Sequence, residues 1–111
     1  MESSTATTRE LSEETIALIL KTLDVQRLHV TDLRQVQKTH KRPLDIEALR
    51  SRLLETSRDI IGLISSYEGD ATKQLLISKI DFVLSTDFKL EENIVSPALF
   101  YLKVIKSLLE E

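Results

Sequence analysis

The chain has 111 residues, 41% hydrophobic and 30% charged, with a net charge of −3. This is the length of one domain and the composition of a folded one. The absence of cysteine excludes a disulfide framework, a zinc knuckle and a thiol nucleophile, and two glycines are too few for a phosphate loop or a dinucleotide fingerprint.

Residues 1–10 are small and polar and are expected to form a disordered tail. Residues 11–111 are expected to form a single helical domain. Ser12 stands where an N-cap belongs, with Glu13 and Glu14 in the first turn, where the helix dipole favours acid. Leu11 and Ile16 are spaced to close a hydrophobic staple. Ile16, Ile19, Leu20 and Leu23 follow at helical spacing and predict a helix from about Glu13 to about Asp24. Val25 and Leu28 could continue that helix. The weaker pattern from Val25 to Lys41 reads instead as a short helix of its own, capped at Thr31 or Asp32, with Leu33 and Val36 inward.

Pro43 interrupts the helical pattern, and Leu44 with Asp45 offers a second staple and cap. Beyond it, Ile46, Leu49, Leu53, Thr56, Ile60, Leu63 and Tyr67 alternate three and four apart, a heptad track with one polar member. Leu54, Ile61 and Ile64 widen its apolar face. Gly62 lies inside this pattern, either permitting close approach of another helix or standing on the surface. Gly69 is placed to end the helix as a C′ residue.

Asp70 then caps a helix from about Ala71 to about Ser85, with Leu75, Leu76, Ile80, Val83 and Leu84 inward. A polar connection, Thr86 to Asn93, offers Phe88 and Leu90 as plugs for the core. Ser96 caps the last helix with Pro97 at N1, where the missing N–H costs nothing. Ala98, Leu102, Ile105 and Leu109 form one apolar stripe of that helix, and Leu99, Tyr101, Val104 and Leu108 a second. The expected fold is therefore all-α, a small bundle of four to five helices behind the tail.

Charge is laid out unevenly. Residues 1–25 carry two basic and five acidic residues, residues 26–52 seven and three, and residues 53–111 six and ten. The basic middle segment either packs beside acidic neighbours in its own fold or meets an acidic partner or nucleic acid, with Arg34, Lys38, Lys41 and Arg42 as the expected anion contacts. Lys38, His40, Lys41 and Arg42 make only a short, interrupted nuclear-localisation pattern.

Site chemistry is missing from the sequence. His29 and His40 are eleven apart and match no metal-ligand spacing. His29 and Asp32, three apart, would meet on a helix, an arrangement more often a surface pair than a catalytic one. The carboxylate pairs Glu13/Glu14, Glu91/Glu92 and Glu110/Glu111 are adjacent, so they do not converge on one cleft. No serine sits in a nucleophile elbow. No run of apolar residues is long enough to span a membrane, and Met1 to Thr8 lacks the features of a secretory signal. A cytoplasmic location, or a nuclear one, is the expectation.

These exclusions point to a non-enzymatic interaction module without cofactor or metal: an adaptor, a chaperone-like binder or a small subunit of a larger complex. Its partner would be another protein or a second copy, met through apolar helix faces. Leu99, Leu102, Ile105 and Leu109 on the last helix, with Leu53 and Ile60 on the heptad track, are the candidate contacts, and structural core is the plainer role for the same residues. The alternative is a small helical regulator that contacts nucleic acid through residues 27–52.

Overall fold

The computed structural model describes residues 11–110 and contains four helices: α1 (Glu13–Thr39), α2 (Pro43–Ser65), α3 (Asp70–Leu84) and α4 (Glu92–Glu110). The tail expected over residues 1–10 lies outside the described residues. α1 starts as its sequence requires. The Ser12 hydroxyl accepts the Thr15 backbone N–H at 3.1 Å, and Glu13 and Glu14 occupy the first turn.

α1 does not stop near Asp24. It runs unbroken for 27 residues to Thr39, so the short separate helix expected over Val25 to Lys41 is the second half of α1. The reason lies at Gln26. The buried positions are Ile19, Leu23, Gln26, Val30 and Leu33, alternating four and three apart, a heptad track whose middle member is polar. Val25 and Leu28, read as apolar pattern members, are exposed. Thr31 does not cap: its hydroxyl donates to the Arg27 carbonyl one turn back, as a helix-interior threonine does.

α2 begins at Pro43 itself, which supplies a pre-set φ and an N–H that no helix needs there. Leu44 is 81% exposed, so the second staple does not form, and Asp45 in the first turn pairs with Arg42 at 2.6 Å. The heptad track of α2 faces inward through Ile46, Leu49, Leu53, Thr56 and Ile60; its last members, Leu63 and Tyr67, are half-buried and Tyr67 lies beyond the helix, while Ile64 takes the buried position in the last turn. α2 ends at Ser65, capped by Ser66. Gly69 stands not behind α2 but at the head of α3, where φ 112° and ψ −153° demand glycine.

α4 begins one turn earlier than expected, at Glu92, so Pro97 lies within the helix and Ser96 is not its cap. The Glu91 carbonyl accepts the N–H groups of Ile94 and Val95, which starts the turn. Proline at 97 leaves the Asn93 carbonyl without its usual donor, a loss tolerated because both residues are exposed.

Each helix packs on its sequence neighbours, and α4 closes the ring against α1. Connectors of a few residues make consecutive helices antiparallel, so the architecture is an up-down-up-down four-helix bundle. Its core is drawn from all four helices, and Phe88 and Leu90 of the last connector pack against it from one end.

Two buried polar residues tie α1 into this core. Gln26 donates to the Ala98 carbonyl of α4 at 3.4 Å and accepts from the Ser57 hydroxyl of α2 at 3.1 Å. Arg50 of α2 donates Nε to the Val30 carbonyl and Nη1 to Glu47 at 2.8 Å, so its guanidinium is buried but not abandoned. Between α3 and α4, Lys106 meets Asp81 at 2.6 Å. The hydrogen bond to that carboxylate holds the ammonium above its ordinary pKa.

Candidate functional site

The six apolar residues singled out from sequence all lie inside the bundle. Leu53, Ile60, Leu102, Ile105 and Leu109 are fully buried and Leu99 nearly so. They pack against one another and against α1 and α3, so a partner meets them only if the bundle opens. Accessible apolar surface lies elsewhere, on Leu18, Phe82 and Phe100 and on residues the sequence pattern placed on apolar faces, Leu20, Val25, Leu28, Leu54, Ile61 and Leu75, the last expected inward but 47% exposed. A two-track sequence pattern signals these positions only after the inward track has been assigned, because both tracks are apolar.

Most of these side chains gather along the two edges of α1. Between α1 and α4 a groove is lined by Leu18, Lys21, Thr22 and Val25 on one wall and Phe100, Tyr101 and Val104 on the other. Its exposed members are large: Phe100 is 56% exposed and Leu18 50%. Phe100 stands edge-on to Tyr101 at 5.5 Å between ring centroids, and Tyr101 in turn lies 6.1 Å from the His29 ring. The Phe100 ring is therefore braced on one side and open on the other.

On the opposite edge, between α1 and α2, a second groove is lined by Leu23, Asp24, Arg27 and Val30 of α1 and by Leu54, Ser57, Arg58 and Ile61 of α2. Leu54 and Ile61, seven apart, form its apolar floor on α2, with Arg58 between them. Arg34 and Lys38 continue the Arg27 stripe along α1, seven and eleven residues on.

The α2–α3 side is different. There Phe82 is 58% exposed, but the Arg52 guanidinium sits over its ring at 5.1 Å, and Lys79 reaches Asp59 at 3.5 Å. Its apolar surface is already met by the chain's own charges.

The four basic residues expected to contact anions are exposed but do not form one site. Arg34 and Lys38 lie on α1, one turn apart. Lys41 and Arg42 lie in the turn before α2, and Arg42 is engaged by Asp45. Arg34, Lys38, Lys41 and Arg58 have no ion pair among the described residues.

Neither histidine builds a reactive centre. Nδ1 of His40 accepts the Arg42 backbone N–H at 3.0 Å, which leaves the proton on Nε2, 3.6 Å from the Glu91 carboxylate. That carboxylate oxygen is beyond hydrogen-bond distance, and His40 Nε2 is buried without a hydrogen-bond partner. His29 makes no ion pair with Asp32 among the described residues, and its Nε2 is buried without a hydrogen-bond partner. No group of three or more potential metal ligands occurs among the described residues. None of the described helices is long and apolar enough to cross a membrane.

Comparison with protein-family models, with characterised proteins and with solved structures gives no match for this chain.

Proposed function

We propose that this chain is a non-enzymatic protein-binding module, an adaptor or small subunit that holds another protein against apolar surface flanking α1. The observation that carries the reading is the α1–α4 groove. Leu18, Val25 and Phe100 are all substantially exposed around it, although the chain has a full core in which to bury such side chains. Exposed apolar residues scattered singly need no explanation, whereas clustered ones are the usual mark of an interface. An exposed phenylalanine braced by a neighbouring ring has the form of a binding anchor, since aromatic residues dominate interface energetics. The place of action under this proposal is the cytoplasm or the nucleus.

The test is tagged co-purification from the native cell, with and without nuclease, of the wild-type chain and of Leu18→Asp/Phe100→Asp. Both sites are on the surface, so the double variant keeps its helical circular dichroism. Partners that survive nuclease and disappear with the variant support the module. A partner set that vanishes with nuclease and ignores the variant moves the function to the basic residues Arg34, Lys38 and Lys41 and to nucleic acid. A second copy as the partner is recognised by a concentration-dependent mass in sedimentation.

A further inference from the structure

The two edges of α1 differ in charge, and the difference specifies a partner. We propose that the α1–α2 groove docks an acidic amphipathic helix of another protein, its apolar stripe seated on Leu54 and Ile61 and its carboxylates paired with Arg34, Lys38 and Arg58. This deepens the protein-binding reading and rests on it.

The groove has the geometry for such a ligand. Leu54, Arg58 and Ile61 fall at i, i+4 and i+7 on α2, so the two apolar side chains and the guanidinium share one face two turns long. Leu54 is 36% and Ile61 47% exposed, and Leu20, one turn N-terminal to Asp24 on the facing stripe of α1, is 38% exposed. The recess measures about 270 Å³. That suits a few inserted side chains of a helix laid along it, the i, i+3 or i+4, i+7 anchors of helix-in-groove recognition.

Its charge is the deciding feature. The chain as a whole is acidic, yet this face carries Arg27, Arg34, Lys38 and Arg58. The acids beside them are taken: Asp24 by Arg27 at 3.3 Å and Glu47 by the buried Arg50 at 2.8 Å. Arg58 in the groove, and Arg34 and Lys38 further along the same stripe of α1 beyond its Leu54 end, have no ion pair among the described residues. Some cations elsewhere on the bundle are paired with its own acids, as at Lys79–Asp59 and Lys106–Asp81, whereas these three share a face with exposed apolar side chains. A nucleic acid would use the cations and leave Leu54 and Ile61 unmet. An acidic amphipathic helix uses both, and complementary charge steers its approach and fixes its orientation.

The experiment uses the full chain, isotopically labelled, and two synthetic helical peptides. Both carry the same leucine stripe; one has glutamate and the other lysine at the flanking positions. The glutamate peptide is expected to shift amide resonances of Leu54, Arg58, Ile61, Arg34 and Lys38, with an affinity at least tenfold above that of the lysine peptide. Raising salt from 50 to 500 mM should weaken it about tenfold. Arg34→Glu/Arg58→Glu, both surface changes, should invert the preference between the peptides.

Equal binding of the two peptides, or no binding of the glutamate peptide at millimolar concentration, overturns the proposal. So does a preference that survives the charge reversal. Shifts confined to Leu18, Val25 and Phe100 overturn it while leaving the protein-binding reading in place. Binding of a labelled 20-mer RNA or DNA duplex by Arg34 and Arg58, with the peptides ignored, overturns both.

Discussion

Gln26 is the residue on which the interior turns. It is fully buried at the centre of a track that is otherwise aliphatic, and it holds a hydroxyl of α2 and a carbonyl of α4 at once. Cutting it to alanine removes both hydrogen bonds, leaves the Ser57 hydroxyl to find another partner, and opens a cavity. The expected cost is about 2–4 kcal/mol. Gln26→Leu removes the same two hydrogen bonds but keeps most of the volume, so its expected cost is smaller, about 1–2 kcal/mol. Urea denaturation of the two variants checks this ordering, and equal losses would show that the hydrogen bonds both variants remove, not the volume, set the cost at the site. A buried polar residue that is worth little net stability still has a use, because it fixes which residues of three helices face each other.

At the scale of elements, the ends of α2 and α3 give the sharpest test. Gly62 is exposed within α2, and a Cβ placed there meets nothing within 4 Å. Of the two roles open to it in the sequence, the structure supports the tolerated surface glycine. Gly62→Ala is expected to stabilise the fold by about 0.5–1 kcal/mol. Gly69, at φ 112°, is expected to lose about 1–3 kcal/mol on the same substitution. Thermal denaturation reads both signs, and a destabilised Gly62→Ala would mean that another helix approaches closer there than the bundle geometry allows.

The same elements mark what the sequence could and could not reveal. The heptad track of α2 was legible because all but one of its members are apolar. That of α1 was obscured because glutamine occupies its centre, and a polar residue at a core position breaks the pattern by which a helix is recognised. The sequence places the start of α4 one turn late. Ser96–Pro97 is a strong local start signal, but Ile94 and Val95 pack against the core and draw the helix one turn further back.

For the whole molecule, the question is which apolar residues hold the bundle and which are left for a partner. Sequence pattern alone could not divide them: Leu102 and Phe100 lie two apart in one helix and both are large and apolar, yet one is fully buried and the other more than half exposed. The apolar contacts first favoured, Leu53, Ile60, Leu99, Leu102, Ile105 and Leu109, therefore answer to stability. Leu102→Ala is expected to cost about 2–5 kcal/mol, a large share of the 5–15 kcal/mol of roughly typical domain stability. Phe100→Ala should cost no more than about 1 kcal/mol, since its ring is more than half exposed and loses chiefly the edge contact with Tyr101. Partner capture should respond in the opposite order: Phe100→Ala loses it with the fold intact, while Leu102→Ala, assayed well below its melting temperature, retains it. If both variants lose stability alike, the α1–α4 groove is part of the fold's own packing. A Phe100→Ala chain that is stable and still captures every partner leaves that groove without a role, and the basic α1–α2 edge then stands as the surface by which the bundle acts.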